Sequence, residues 1–266
     1  MTTNTRSQAI EFIRSGPTPA SIVEAARGGM DVTELLFAYV EEFVGTRRIT
    51  EEPNASIVKI LIDAGAVVHA RLLHVALRGW PALLSILLQY GHGDANAVNE
   101  LGQTLLMCAA QVNSFDVFDV LLRAGADVHA VDYQGCTVLH YAARFSWVAI
   151  LGMLIDEAGS DVDAKSTSGV TSLMEAIRVR RAPHVIEFLL FHSTDKHTHD
   201  EEGNSIVDYI DTYTPHMATL PWVQKLRGEG SRWASKREFL ELAMLAAQNE
   251  LYAAAPTREH VRARRQ

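Results

Sequence analysis

Apolar residues along this chain fall into short runs that return on a regular period. Four glycines in the polar segments between those runs mark the period, because they are spaced 33, 34 and 34 residues apart. They are Gly102, Gly135, Gly169 and Gly203. Each is followed two positions later by a threonine or serine and then by an apolar run that starts with Leu105, Val138, Ser172-Leu173 or Ile206. A fixed period of this length predicts a stack of similar structural units.

A second recurring segment keeps the same period as the glycines. Leu121–Ala130 reads Leu-Leu-Arg-Ala-Gly-Ala-Asp-Val-His-Ala; it recurs at Leu154–Ala164 and Leu61–Ala70, and loosely at Leu87–Ala97. With Thr137-Val-Leu-His140, these phrases resemble the ankyrin repeat family, whose repeats carry Thr-Pro-Leu-His and Gly-Ala-Asp-Val. The resemblance covers about Asn54 to Tyr213. It implies an all-α solenoid in which each repeat has a short β-hairpin finger and two antiparallel helices, with helical caps at both ends.

Individual residues make physical sense in this frame. The glycines suit tight turns that need positive φ, and the following Thr or Ser is a natural helix N-cap. His140 lies three residues after Thr137, within reach of that cap, so we interpret it as a structural hydrogen-bonding group and not as a catalytic one. His74 occupies the same position 66 residues earlier and has the same interpretation.

The domain organisation follows from where the pattern is clear and where it weakens. Residues 1–30 are predicted to form N-terminal cap helices, and residues 31–213 the ankyrin array, with the clearest repeats at 100–132, 133–166 and 167–200. Only four residues separate Val68 from Leu73, against ten between Val128 and Leu139, so the finger there is predicted to be short or absent. Residues 214–256 are predicted to form a C-terminal helical cap containing a helix at about 235–253, and 257–266 a disordered basic tail.

Composition narrows the class of protein. The 266 residues carry a formal net charge of −8, and 48% of them are hydrophobic, which argues against a general nucleic-acid binder and against disorder. No apolar run has the roughly 20 residues of a membrane helix, and two cysteines cannot make a disulfide framework. We therefore expect a cytoplasmic or nuclear protein that has no membrane partner.

Signatures of enzymes are absent from the sequence, including phosphate-binding glycine loops, Gly-x-Ser-x-Gly and His-Glu-x-x-His. The segment His192–Asp200 is the strongest candidate for a metal site, because His197, His199 and a carboxylate could hold a divalent ion. We expect a polar, exposed finger there instead. Cys108 and Cys136 lack the paired spacing of a zinc site. We predict a non-enzymatic protein with no cofactor, no metal and no small-molecule substrate.

The predicted function is binding of another protein on the concave face, as an adaptor or scaffold. In the family frame, the outward positions select one set of candidate partner-binding residues: Arg78, Leu101, Gln111, Tyr133, Arg144, Phe145, Trp147 and Arg178. Arginine and aromatic residues often carry interface energy, so the partner is predicted to present an acidic or mixed segment. Three alternatives stay open. The arginines are ordinary solvated surface; or the chain is a regulatory or structural subunit of an enzyme or nucleic-acid-containing complex, with its arginine-rich C-terminal tail contacting phosphates; or it is an enzyme that uses the His192–Asp200 cluster.

Overall fold

The computed structural model describes residues 2–45, 54–76, 80–112, 114–145, 148–193 and 195–227. The chain divides into two compact units, Met1–Asp161 and Val162–Gln266, called here the first and the second unit. In the described ranges, regular structure consists of helices and isolated β-bridges. No described helix is long and apolar enough to cross a membrane.

The first unit is a stack of helix pairs. Its inner helices pack in the order α1, α3, α5, α7 and α9, and its outer helices α2, α4, α6 and α8 pack on one another in the same order. The α-helices among its described residues are α1 Thr2–Arg14, α2 Pro19–Arg27, α3 Val32–Gly45, α4 Ala55–Asp63, α5 Ala70–Ala76, α6 Pro81–Gln89, α7 Leu105–Val112, α8 Phe115–Arg123, α9 Val138–Phe145 and α10 Val148–Gly152.

The buried faces follow the spacing of apolar residues. On outer helix α8, Val117, Phe118 and Leu121 are fully buried, while Asp116 and Arg123 face solvent. On inner helix α9, every residue from Val138 to Ala143 is buried, and Ala142 and Ala143 are small enough to let the neighbouring inner helix approach. Tertiary packing of this kind stabilises helices that are too short to persist alone.

Fingers precede α7 and α9 in the first unit. Each is closed by one antiparallel bridge, Val98 to Thr104 and Val131 to Thr137, and turns at a glycine with φ of 75° or 73°. The predicted cap geometry is present: the Met107 N–H donates to Thr104 Oγ1, and the Thr137 N–H donates to His140 Nδ1 at 3.1 Å. His140 is therefore part of the cap of its own helix, as predicted.

No described residues form a finger before α5, which agrees with the short spacing in the sequence. Arg71 stands where the other repeats have the capping threonine or serine. His74 consequently turns away from the cap, and its Nδ1 donates to the Ala70 carbonyl at 2.9 Å. The Nδ1 atom thus accepts a hydrogen bond in His140 and donates one in His74.

An inserted residue is accommodated inside an outer helix. Four residues lie between Leu154 and Gly159, against three between Leu121 and Gly125. The extra residue is absorbed because α10 continues into a π-helical segment, Met153–Glu157, where the Ala158 N–H donates to the Met153 carbonyl five residues back. Met153 and Leu154 remain buried, so the insertion does not shift the apolar face.

The described part of the second unit contains two further helix pairs. They are α11 Ser172–Arg178 with α12 Pro183–His192, and α13 Ile206–Tyr213 with α14 Pro221–Arg227, joined in the second pair by a 3₁₀ turn at Pro215–Met217. Bridges from Lys165 to Thr171 and from His199 to Ser205 close its two fingers. The predicted helix at 235–253 and the predicted disordered tail at 257–266 lie outside the described residues.

A capping box begins α13 and predicts an acid-sensitive repeat. Ser205 Oγ and the Ser205 N–H both donate to Asp208, which holds the pKa of that carboxyl below its ordinary value of 3.8. Burial raises the pKa of Asp200, but hydrogen bonds from Asn204 and Tyr209 outweigh it and leave that pKa lowered as well. A carboxyl whose pKa is lower in the folded state stabilises the fold above its unfolded-state pKa, and this contribution is lost as pH falls through the folded value.

We therefore expect the amide-exchange protection of α13 to fall as the pH is lowered from about 5 to about 3, after correction for intrinsic exchange. Asp208→Asn should make that protection less dependent on pH, because the amide does not titrate. The control is Asp116→Asn, at an exposed aspartate on α8. An equal pH response in unmodified protein and Asp208→Asn would contradict the capping role.

Candidate protein-binding surface

Two neighbouring finger tips in the first unit expose large apolar side chains. Leu101 is 63% exposed and Tyr133 is 76% exposed, and the two lie side by side, since the Tyr133 N–H points at the Leu101 carbonyl at 3.5 Å. The Tyr133 ring rests against Gly102, where a Cβ would approach it within 2.7 Å. Val98 and Val131, on the same fingers, are also exposed. The tips therefore form an apolar patch that the fold itself does not bury.

A hydrogen-bonded network supports these tips from below. The Tyr141 hydroxyl donates to Asp132 Oδ2 at 2.5 Å, and Gln103 Nε2 donates to the Tyr141 oxygen at 2.8 Å. The other Asp132 oxygen accepts from the Gln134 and Cys136 N–H groups. Burial, with Asp132 beside it, raises the pKa of the Tyr141 hydroxyl. The network ties the finger of one repeat to the inner helix behind it and to the preceding finger.

The ends of inner helices α7 and α9 continue the candidate surface. Gln111 and Val112 at the end of α7 are exposed, as is Phe145 at the end of α9. The Arg144 guanidinium is half-buried and lies over the Phe145 ring, 5.2 Å from its centroid. Because α7 and α9 pack against each other, these ends lie on consecutive repeats.

The other two predicted arginines, Arg78 and Arg178, are not placed beside Arg144 by the described residues. Arg178 belongs to the second unit, where its guanidinium makes a forked contact with Glu175 at 2.8 and 2.9 Å. That hydrogen bonding raises the pKa of Arg178 and holds the side chain in one orientation. Arg78 and Trp147 lie outside the described residues. Binding roles for Arg78, Trp147 and Arg178 therefore stay predictions.

In the second unit the finger tips are polar. The tip of the last finger carries Glu201 and Glu202, both exposed. Among the candidate metal ligands there, Asp200 already accepts from Asn204 and Tyr209, and His192 Nδ1 bonds the Phe188 carbonyl at 2.8 Å. Within the described residues, no group of three or more His, Cys, Asp or Glu side chains could hold a metal ion.

The two cysteines, Cys108 and Cys136, are half-buried. Burial raises the pKa of the Cys108 thiol to about 11, so this thiol remains protonated at neutral pH. Cys136 is half-buried at the base of its finger, where its N–H donates to Asp132. The surface can therefore offer apolar side chains, amides and one stacked guanidinium, which is chemistry for binding.

Sequence reasoning missed two parts of this surface. Val98 and Val131 were not among the candidate residues, yet each is exposed at a finger edge. The supporting network did leave a signal, because Asp132 and Tyr141 are nine residues apart and so are Asp200 and Tyr209, where the hydroxyl again donates to the aspartate.

Comparison with known proteins agrees with the repeat geometry. Residues 48–132 and 124–200, more than half of the chain, match the family described as "Ankyrin repeats (3 copies)". Human neurogenic locus notch homolog protein 1 is 30% identical over 129 residues, which is 48% of this chain and 5% of that protein. The chicken nuclear factor NF-kappa-B p105 subunit is 32% identical over 132 residues, 45% of this chain and 13% of that protein.

The tyrosine-protein kinase Shark of Drosophila melanogaster is 34% identical over 104 residues, 39% of this chain and 11% of that protein. The matches thus span only a small part of these relatives' own lengths. What they share with this chain is the repeat, seen here in the helix pairs, the glycine turns of the fingers and the capping threonines. The chain belongs to the ankyrin repeat family.

Proposed function

We propose that this chain is an adaptor or scaffold that captures a partner protein on the finger tips and inner-helix ends of the α7 and α9 repeats. Ankyrin repeats are protein–protein interaction modules, which gives the general class. The observation that carries the specific proposal is the pair of neighbouring exposed side chains Leu101 and Tyr133. A contiguous exposed apolar patch is typical of an interaction site, because leaving it in water has a free-energy cost that binding removes.

The partner we propose presents an apolar side chain beside an acidic group. Tyr133 and Phe145 offer aromatic area, and aromatic residues are enriched among those that dominate interface energy. Arg144 supplies a positive charge next to Phe145 on a chain whose net charge is −8. A carboxylate on the partner would find its complement there, and such pairs set specificity and association rate more than affinity.

The support of the tips favours binding without rearrangement. The Tyr141–Asp132–Gln103 network fixes the finger backbone before any partner arrives, so little ordering entropy remains to be lost on association. Phe115 is also exposed, at 51%, but lies on outer helix α8. Phe115 is therefore a matched control: an exposed apolar side chain that lies outside the candidate surface.

The experiment is affinity purification from the native cell with a double variant, Leu101→Ser with Tyr133→Ser. We expect the captured partner to be lost while the melting temperature stays within a few degrees of that of the unmodified protein, because both side chains are exposed. Phe115→Ser should retain the partner. Capture that survives the double variant but is lost with Phe115→Ser would place the interface on the outer helices and overturn the proposal.

A separate variant tests the contribution of Arg144. Arg144→Glu should weaken capture and reduce its dependence on salt, since it removes a positive charge from the interface. Arg178→Glu is a poorer test because it would leave Glu175, which is 8% exposed, facing a second carboxylate. Unchanged capture by Arg144→Glu would show that this arginine is solvated surface and would leave the partner's acidic group without support.

A further inference from the structure

Consecutive fingers within each unit are joined by the same backbone contact. In the first unit, the Tyr133 N–H points to the Leu101 carbonyl at 3.5 Å, and in the second unit the Glu201 N–H donates to the Ser168 carbonyl at 3.0 Å. Each donor stands two residues before the glycine of its own finger, and each acceptor stands one residue before the glycine of the preceding finger. The repeated contact shows how one finger is added to another.

The glycine of the accepting finger is part of this contact. A Cβ on Gly102 would come within 2.7 Å of the Tyr133 ring, and a Cβ on Gly169 would come within 2.8 Å of the Glu201 backbone nitrogen. Both glycines have positive φ, so each accepting finger turns tightly and presents bare backbone to the finger that follows it. An accepting segment must therefore be a tight turn in which a glycine follows the accepting carbonyl.

The finger that precedes α7, residues 98–104, has no preceding finger to which it could donate. Its residue two positions before the glycine is Glu100, which is exposed, and the Glu100 N–H has no acceptor in the described part of the chain. Residues 64–69, which join α4 to α5, form no β-bridge, because the sequence there is too short for a finger. The fold thus leaves one flank of this finger open and one backbone donor unused.

The Glu100 N–H is already oriented for such a contact. Glu100 is the second residue of a β-turn in which the Gly102 N–H donates to the Asn99 carbonyl at 3.0 Å, and an equivalent bond closes the turn that holds Tyr133. The Asn99 side chain also accepts two further N–H groups of its finger. Because the turn is fixed in advance, using this donor costs little ordering entropy. An unused backbone donor at a strand edge is a template for pairing with another chain.

We propose that the partner captured at the finger tips adds a glycine-containing turn to this open flank, and that a backbone carbonyl of the turn accepts a hydrogen bond from the Glu100 N–H. The turn lies against residues 98–104 as each accepting finger lies against the next. This is β-augmentation, in which backbone hydrogen bonds supply affinity. The inference rests on the proposed function, because it describes how the partner held by Leu101 and Tyr133 continues along the fingers.

The probe is a head-to-tail cyclised peptide with the sequence of residues 98–104, Val-Asn-Glu-Leu-Gly-Gln-Thr. In the structure, the leucine carbonyl of this sequence already faces the N–H of the next finger. Titration of the peptide into the ¹⁵N-labelled full chain should move the Glu100 amide proton resonance downfield and slow the exchange of that proton with water. A ring of the same composition in scrambled order is the control and should do neither.

Two substitutions at Glu100 isolate the contribution of the N–H group. Glu100→Pro and Glu100→Ala both remove the carboxylate, but only proline removes the N–H, and proline is favoured at the second position of common β-turns. Monitored at the Leu101 and Gly102 amides, Glu100→Pro should bind the ring about three- to tenfold more weakly than Glu100→Ala, as expected for the loss of one hydrogen bond. Circular dichroism melting checks that both variants are folded.

Three results would overturn the turn contact: an unchanged Glu100 amide at the highest peptide concentration, equal effects of the two rings, or equal binding of the ring by Glu100→Pro and Glu100→Ala. Partner capture separates this contact from the proposed function. Capture that is lost with Leu101→Ser plus Tyr133→Ser but is equal for the two Glu100 variants would support the finger-tip surface and contradict the turn contact. Capture that survives the double variant would overturn the finger-tip surface alone, because the ring titration tests the turn contact without the partner.

Discussion

Replacing Leu139 by alanine should lower the free energy of unfolding of the first unit by about 2–5 kcal/mol. Leu139 is fully buried on inner helix α9, and this helix packs against both α7 and α10. Truncation removes its transfer free energy and leaves a cavity between helices whose backbones are already held by their neighbours. In a repeat protein the loss extends to the adjoining interfaces, because each repeat is stabilised by its contacts with the next.

The matched control is the same substitution at Leu101. That side chain is 63% exposed, so Leu101→Ala should change the free energy of unfolding by no more than about 0.5 kcal/mol. Urea unfolding followed by circular dichroism measures both, and amide exchange assigns the loss to the first unit. Equal losses at the two leucines would mean that the alignment of the repeats proposed from the sequence is wrong.

The helix pairs and turns could be predicted because the same residues with the same structural roles recur in several repeats. Each finger glycine has positive φ, each following Thr or Ser stands at the start of a helix, and the alanines of α9 are buried where inner helices meet. The absence of a finger before α5 was predictable too, since six residues fewer leave no chain to build one. The all-α repeat solenoid expected from the sequence is confirmed by the helices and by the family match.

The candidate binding surface was less predictable because it depends on which side chains the stack leaves uncovered. Leu101, Gln111, Tyr133 and Phe145 are exposed as expected from their repeat positions. Arg178 is exposed too, but its contact with Glu175 is a pairing between residues three apart that the repeat frame does not encode. A groove in the first unit combines Arg6 of α1, Phe37 of α3 and Leu72 of α5, and α1 has no counterpart in the repeating phrases.

The other large loss of stability is expected from a substitution at Gly169, in a finger of the second unit. This residue has φ of +74°, a conformation that costs an alanine about 1–2 kcal/mol. A Cβ there would also approach the Glu201 backbone nitrogen within 2.8 Å and the Asp200 Cα within 3.0 Å. Those atoms belong to the next finger, which is held against this one by the Glu201 N–H donating to the Ser168 carbonyl at 3.0 Å.

Gly169→Ala should therefore destabilise the second unit by about 2–4 kcal/mol, because backbone strain is joined by displacement of a neighbouring backbone that cannot rotate away. Gly203→Ala is the matched control: its φ is +85°, but a Cβ there would meet nothing within 4 Å, so only the strain of about 1–2 kcal/mol applies. Denaturant unfolding measures the two losses, and amide exchange should show the larger opening at Glu201 in Gly169→Ala. Losses of equal size would mean that the two fingers do not rest on each other at Gly169, and that the cost at both positions is conformational alone.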